Sequence, residues 1–535
     1  MTTDLAQTSA SVQTQGANHT CTSTADINKM SLKNMDFETL RNGQYLISDP
    51  QFPAGDESMA WPELGEKLES DMDNAIWERA YKAFPGKTLF GDGISTDDII
   101  QGSLGNCWFL SAASAVAEFP GRMEKIFLNK NDKGLNPQGV YGVNFYSLGV
   151  PHTVIIDDYL PLRKVNYYND DLGTMYSAPG TDGSMWTAII EKAFAKLHGN
   201  YAHIEGGDPG VAIQTITGAP YERYQHSQMD KDDLWNRLVT HDRNQDIMSC
   251  VSPAGSDKTT DESGLVQGHA FTLIGTVWLS DGNRLLKIRN PHGSEKYHGA
   301  WSDLDTERWT AQRKAEAGLD AAYFERGQND GVFHMHLDDF MTKFSASRAN
   351  FKTDGWGYDY FLMTNDNTSK KGTAQSCGAT CTRHRLNVIS EVDQTVYVTA
   401  HTWHSRDRPK NCAKPKPSLM TTPAGGQYFN GGSTTKKVQV KAGEKNLVTV
   451  EHDFSSPDTP KDWSVVVHGP KGGVHIYHDL DDLNYKTGSL PTDKLAPAAP
   501  TRPDLPKYSY NAFADWAFEQ VGEVYNGGNM FIKED

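Results

Sequence analysis

"QGSLGNCWFL", residues 101–110, sets two glycines, a cysteine and a tryptophan directly ahead of a long apolar stretch. Turn-forming "SLGN" followed by "CWFLSAASAVAEF", dense in Ala and Leu, predicts a helix that starts at Cys107 and continues over 108–119. The free amides at a helix N-terminus carry partial positive charge, which favours a thiolate over a thiol. A cysteine in that place is a candidate nucleophile, although a buried free cysteine more often only fills space.

Attack on a carbonyl also needs an imidazole and a group that orients it, both generally distant in sequence. His269 in "QGHAFTLIG" and Asn290 in "LKIRNPHG" fall on two strand-like segments, 269–279 and 284–291, joined by a turn around "SDGN" (280–283). A hairpin there sets His269 beside Asn290, whose amide oxygen can accept from the ring and fix its tautomer without adding charge. Gln101 can donate from its amide to an oxyanion that forms beside the Cys107 backbone N–H.

The chain around these motifs has 535 residues, more than a single hydrophobic core supports, so several domains are expected. A hydrophobic fraction of 37% suffices for globular folding. Lys plus Arg 51 against Asp plus Glu 68 leaves a net charge of −17, which argues against nucleic acid as a partner. No apolar run reaches the roughly 18 residues of a transmembrane helix. The start, "MTTDLAQTSASVQTQ", lacks the basic region and apolar core of a secretory signal, so a cytoplasmic protein is expected. Six cysteines, at 21, 107, 250, 377, 381 and 412, are too scattered for a disulfide framework, and free thiols are the expectation.

Composition divides the chain. Residues 1–35 are rich in Ser, Thr, Gln and Asn and read as a flexible tail. Residues 36–205 mix helical "MWTAIIEKAFAKLHG" (185–199) with strand-like "YGVNFYSL" and "HTVIIDDYLPLR". Gly206-Gly207 is a hinge signal, and short strands dominate 206–366. Between 374 and 478, "RLNVISEV", "TVYVTAHTW", "KKVQVKAG", "NLVTVEHDF" and "WSVVVHG" predict a β-sandwich. Within 479–535 a proline-rich linker (494–508) precedes one amphipathic helix, "NAFADWAFEQVGEVY". "HMH" (334–336) puts two imidazoles on one strand face, but no third metal ligand is fixed nearby, and Cys377 and Cys381 lack a second pair at zinc spacing.

"QGSLGNCWFLSA", "GHAFTLIG" and "IRNPHGS...GAWSD" resemble, in content and order, the protease core of the calpain family of papain-like cysteine peptidases. "SDPQFPA" (48–54), "DDYLPLR" (157–163), "MWTAIIEKAFAKLHGNY" (185–201) and "DGVFHMHLDDF" (330–340) extend the resemblance over about residues 36–366. It implies an α+β fold: a papain-like core of two subdomains, 36–205 on the Cys side and 206–366 on the His/Asn side, followed by the β-sandwich at 374–478. The implied activity is limited proteolysis of protein substrates with flexible segments. Cys107 is then the nucleophile, His269 the base and later the acid, Asn290 the orienter, Gln101 the oxyanion donor, and Gly268 a backbone contact for the substrate strand.

Calcium is the implied cofactor. In the first subdomain the family's ligands map onto the carbonyls of Gly91 and Gly93 and the carboxylates of Asp98 and Glu191. In the second, Asp303 and Asp330 match, whereas two expected glutamates align with Lys296 and Val332, so a weaker or absent second site is expected. No EF-hand loop follows the β-rich segment, which places the chain with the shorter, atypical members. The family's usual Trp after Asn-Pro is His292 here, which exposes the His and Asn pair more to water. That departure keeps a catalytically silent scaffold as the alternative. Acyl transfer of the transglutaminase kind fits less well, since it usually pairs Cys and His with Asp. The β-sandwich leaves room for peripheral membrane contact.

Overall fold

The computed structural model describes residues 37–478 except 67, 166–170, 320–329, 364–374, 377–380, 409–411, 413–416 and 454–461. The expected N-terminal tail, the proline-rich linker, the terminal helix and Cys377 lie outside the described residues. Among those described, no helix is long and apolar enough to cross a membrane.

The Cys-bearing part contains β1 (Ile76–Arg79), α1 (Cys107–Ala117), β2 (Val140–Ser147), β3 (Val150–Asp157), β4 (Tyr159–Lys164), β5 (Leu172–Thr174) and α2 (Trp186–His198). Every residue of α1 is buried, because its run of Ala and Ser lets it pass through the middle of the unit at close quarters. Its Phe109 ring stacks on Phe194 of α2 with centroids 4.0 Å apart. The strand-like stretch 152–163 divides at Asp158: β3 pairs with β2, whereas β4 pairs with β1. Buried charges enforce the switch, since Asp158 meets Arg79 at 2.6 Å and Asp157 meets Lys192 of α2.

The next stretch folds as α3 (Pro209–Thr217), β6 (Tyr221–Gln225), α4 (Lys231–Arg243), β7 (Ile247–Val251), β8 (Ala270–Trp278), β9 (Arg284–Arg289), β10 (Val332–His336), α5 (Leu337–Lys343) and β11 (Ala346–Asn350). Its sheet has the order β10-β9-β8-β7-β11-β6 and is antiparallel throughout. The expected hairpin is β8–β9, closed by Leu279 N–H donating to the Asn283 carbonyl at 2.9 Å. The helices α3 and α4 were hidden behind the reading of short strands. Asp230 caps α4 by accepting from the Asp232 and Asp233 amides, and Leu234, Trp235 and Leu238 bury one face. Ala212, Ile213 and Ile216 of α3 join the core around Trp108, so that core reaches past the boundary expected at 205.

The remainder is all β: β12 (Gly357–Met363), β13 (Gln375–Ser376), β14 (Cys381–Ser390), β15 (Gln394–Thr402), β16 (Ser418–Thr422), β17 (Gly425–Phe429), β18 (Gly432–Val440), β19 (Asn446–Asp453), β20 (Trp463–Gly469) and β21 (Val474–His478). One sheet runs β12-β20-β15-β18; the other runs β13-β14-β19-β16-β17, with β21 also on β14. Inward Val and Leu of both, among them Leu386, Val398, Val450 and Val465, make one core. β12, which lies ahead of the expected start at 374, pairs along its whole length with β20. Cys107 and Cys250 are free, but Cys412 is in a disulfide, against the expectation of free thiols. Loop proximity decides such a pairing, and spacing in sequence does not reveal it. His334 of "HMH" is buried edge-on to Trp309 and His336 caps α5, so the two imidazoles serve packing and capping.

Candidate active site

Cys107 is the first residue of α1, where the turn "SLGN" ends. His269 immediately precedes β8, and Asn290 immediately follows β9, so the hairpin register sets them side by side. Asn290 Oδ1 lies 2.9 Å from His269 Nε2 and 3.1 Å from the His292 N–H. Its Nδ2 donates to the Ser294 carbonyl at 2.9 Å, and its own N–H donates to Gly331 O at 2.8 Å. With the amide so pinned, Oδ1 can only accept, and Nε2 of His269 must carry the proton. That leaves Nδ1 unprotonated; it is buried and has no hydrogen-bond partner among the described residues.

The backbone N–H of Ala270, next to His269, reaches the Cys107 thiol. Burial pushes that thiol up to about 11, against the pull of hydrogen bonds from Ala270 and from the first N–H groups of α1. Burial likewise lowers His269 to about 3, with the neighbouring His292 adding to the effect. Burial thus disfavours both the thiolate and the imidazolium. The His292 ring lies 4.4 Å from His269, occupying the place where the resemblance expects an indole, and His269 and Asn290 are both buried, so the wetting expected from loss of the indole is not seen.

Gln101 links the Cys-bearing part to the strand pair that carries His269 and Asn290: its N–H donates to Pro291 O at 3.0 Å. One N–H of its side-chain amide donates to Leu104 O at 2.8 Å. Gly268 has φ +56, and a Cβ there would lie 2.2 Å from Gly255 O, so crowding alone demands glycine. We expect Gly268→Ala to displace the loop over the cleft, costing about 2–4 kcal/mol of stability from left-handed strain and the clash. Thermal unfolding beside kcat/KM checks this, and both should fall.

The carbonyl-bearing Gly91 and Gly93 have φ +58 and +139 on a loop that faces Asp182. Side-chain oxygens of Asp98 and Asp182 both come within 2.9 Å of where a Cβ on Gly180 would stand. Burial raises Asp98, and Asp182 adds to that rise, so a cation there would relieve both. Glu191 is buried and accepts from Asn106 Nδ2 at 2.6 Å, Ser177 Oγ at 2.8 Å and Ser177 N–H at 2.9 Å. The residues fit a hard cation, with Asp182 as a further carboxylate that sequence reading missed. In the other half, carboxylate oxygens of Glu295, Asp303 and Asp330 all lie within 4.8 Å of one another. Glu295, one position before Lys296, is the third carboxylate of this group, and burial together with the two aspartates raises it to about 7.

Residues 47–349, more than half of the chain, match the family described as calpain family cysteine protease, and the chain belongs to that family. It carries a calpain-type cysteine protease domain. Among its relatives are a calpain of Schistosoma mansoni, 29% identical over 59% of this chain and 41% of that protein, and calpain clp-4 of Caenorhabditis elegans, 31% identical over 58% and 42%. Calpain-8 of Rattus norvegicus is 29% identical over 59% of this chain and 45% of its own length. The chain spans less than half the length of these relatives in the matched part.

Proposed function

We propose that the protein is a cytoplasmic, calcium-modulated cysteine endopeptidase that cuts flexible segments of other proteins through Cys107, His269 and Asn290. The observation that carries this reading is the pinned Asn290 amide, which commits Nε2 of His269 as donor and keeps Nδ1 as a base beside the strand whose backbone touches the thiol. In this mechanism His269 Nδ1 takes the thiol proton as sulfur attacks the scissile carbonyl. The Cys107 N–H and the Gln101 amide hold the oxyanion. His269 then protonates the leaving amine, giving a thioester that water hydrolyses with the same base. The fold behind it is read as a papain-like pair of subdomains, with the two facing sheets as a β-sandwich that can also touch membrane surfaces.

Calcium would be held by the carboxylates of Asp98, Glu191 and Asp182 with the Gly91 and Gly93 carbonyls, and by Glu295, Asp303 and Asp330 in the other half. Its contribution is charge neutralisation that lets these acidic loops close. Calcium is expected to raise the melting temperature of wild type, and Glu295→Gln to remove a large part of that rise. An unstructured protein substrate, titrated with calcium and followed by gel, tests the activity itself. Cleavage that grows with calcium supports the reading; none at any calcium level, with a reduced thiol, favours the scaffold alternative. The desolvated pair and His292 are what favour that alternative.

A further inference from the structure

Trp108, next to the nucleophile, is buried and donates from Nε1 to the Ile204 carbonyl at 2.7 Å. A Cβ on Gly207 would lie 2.3 Å from its ring, so the indole rests directly on the backbone of the Gly206-Gly207 hinge. The guanidinium of Arg406, from the loop after β15, covers the same indole at 4.2 Å from a ring centroid. Its Nη1 also donates to Gly206 O at 2.8 Å and to His203 O at 3.3 Å. The tryptophan is therefore held between the hinge and a cation supplied by the two-sheet unit.

Arg406 is itself held firmly. The one-turn helix Ser405–Asp407 is closed by His404 accepting from the Arg406 N–H and Asp407 accepting from the His404 N–H. Asp407 then meets His198, the last residue of α2, at 2.6 Å between buried groups. A planar guanidinium can stack and donate sideways at once, which an ammonium cannot do.

We propose that Arg406 is a positioning residue for Cys107: by clamping Trp108 onto the hinge it fixes the first turn of α1, so turnover depends on the two-sheet unit. This rests on the protease reading above. The backbone N–H groups of Cys107 and Trp108 both act on the thiol, and a small shift of the indole moves them relative to His269. The unit is tied on elsewhere by Tyr358 Oη donating to Gly149 O at 2.6 Å and by Ser433 Oγ donating to Gln214 Oε1 at 2.7 Å. Loss of Arg406 alone thus leaves the unit docked.

In the full chain, Arg406→Ala, Arg406→Lys and Ser433→Ala are compared by cleavage of an unfolded protein, thermal unfolding, and iodoacetamide labelling of Cys107 mapped by mass spectrometry. Arg406→Ala is expected to lower kcat by roughly tenfold to a hundredfold with KM within about twofold, and to label Cys107 faster as its pocket loosens. Arg406→Lys recovers only a small part of kcat, and Ser433→Ala matches wild type. Wild-type kcat and labelling in Arg406→Ala, or an equal loss in Ser433→Ala, overturns the proposal. If wild type cleaves nothing, the protease reading fails, and the labelling rates alone decide whether Arg406 positions Cys107.

Discussion

Cys107→Ala is expected to abolish cleavage of an unfolded protein by a factor of at least about 10³ while the protein stays folded. The substitution removes one sulfur from a buried site at the start of α1, where alanine is a better helix former, so little stability is at stake. His269→Ala should lose as much, because the proposed mechanism relies on its Nδ1 to take the thiol proton. The double variant should be no worse than either single one, since the two act as one unit. Initial rates over long incubations, with circular dichroism to verify folding, check all three. Retained cleavage in Cys107→Ala would place the chemistry elsewhere.

The buried histidines should cost stability on mild acidification. Burial lowers His269, His334, His401, His452 and His468 to about 3, and His226 and His404 to about 4. Each is neutral when folded and takes up a proton when unfolded near its ordinary value of about 6.5. The stability these groups contribute is full above that value and is lost as pH falls through it toward their folded values. Each adds about 1.4 kcal/mol per pH unit to the slope between those values, while carboxyls that burial raises, among them Asp98, Asp158, Asp359 and Glu295 at about 7, release protons on unfolding and offset part of that uptake. Melting temperature against pH, combined with the calorimetric enthalpy, gives the net uptake. Imidazole resonances of these residues that titrate near 6.5 in the folded protein would contradict their burial.

The parts of the site that lie on regular elements were legible in the sequence. "SLGN" before an Ala-rich run located the start of α1, and turn residues between two β-branched segments located the β8–β9 hairpin that pairs His269 with Asn290. What escaped depends on contacts between distant segments. The helix α3, "PGVAIQTIT", is rich in β-branched residues and is held helical by packing against α1 and by its Asp208 cap. Glu295 and Asp182 sit on loops with no periodicity, so alignment to a neighbouring position, or no signal at all, was all the sequence offered. The strand Gly357–Met363 follows the protease part in sequence yet pairs with β20, a partner about a hundred residues further on.

The central claim is that one thiol, Cys107, performs the cleavage. A peptidyl epoxide, reacted with the calcium-treated protein in increasing amounts, would be quantified on Cys107 by mass spectrometry and set against the cleavage that remains. Activity should fall in proportion to label on Cys107 and reach zero at one label per chain. Cleavage that survives complete labelling of Cys107, or that falls with label on Cys250 instead, would contradict the account.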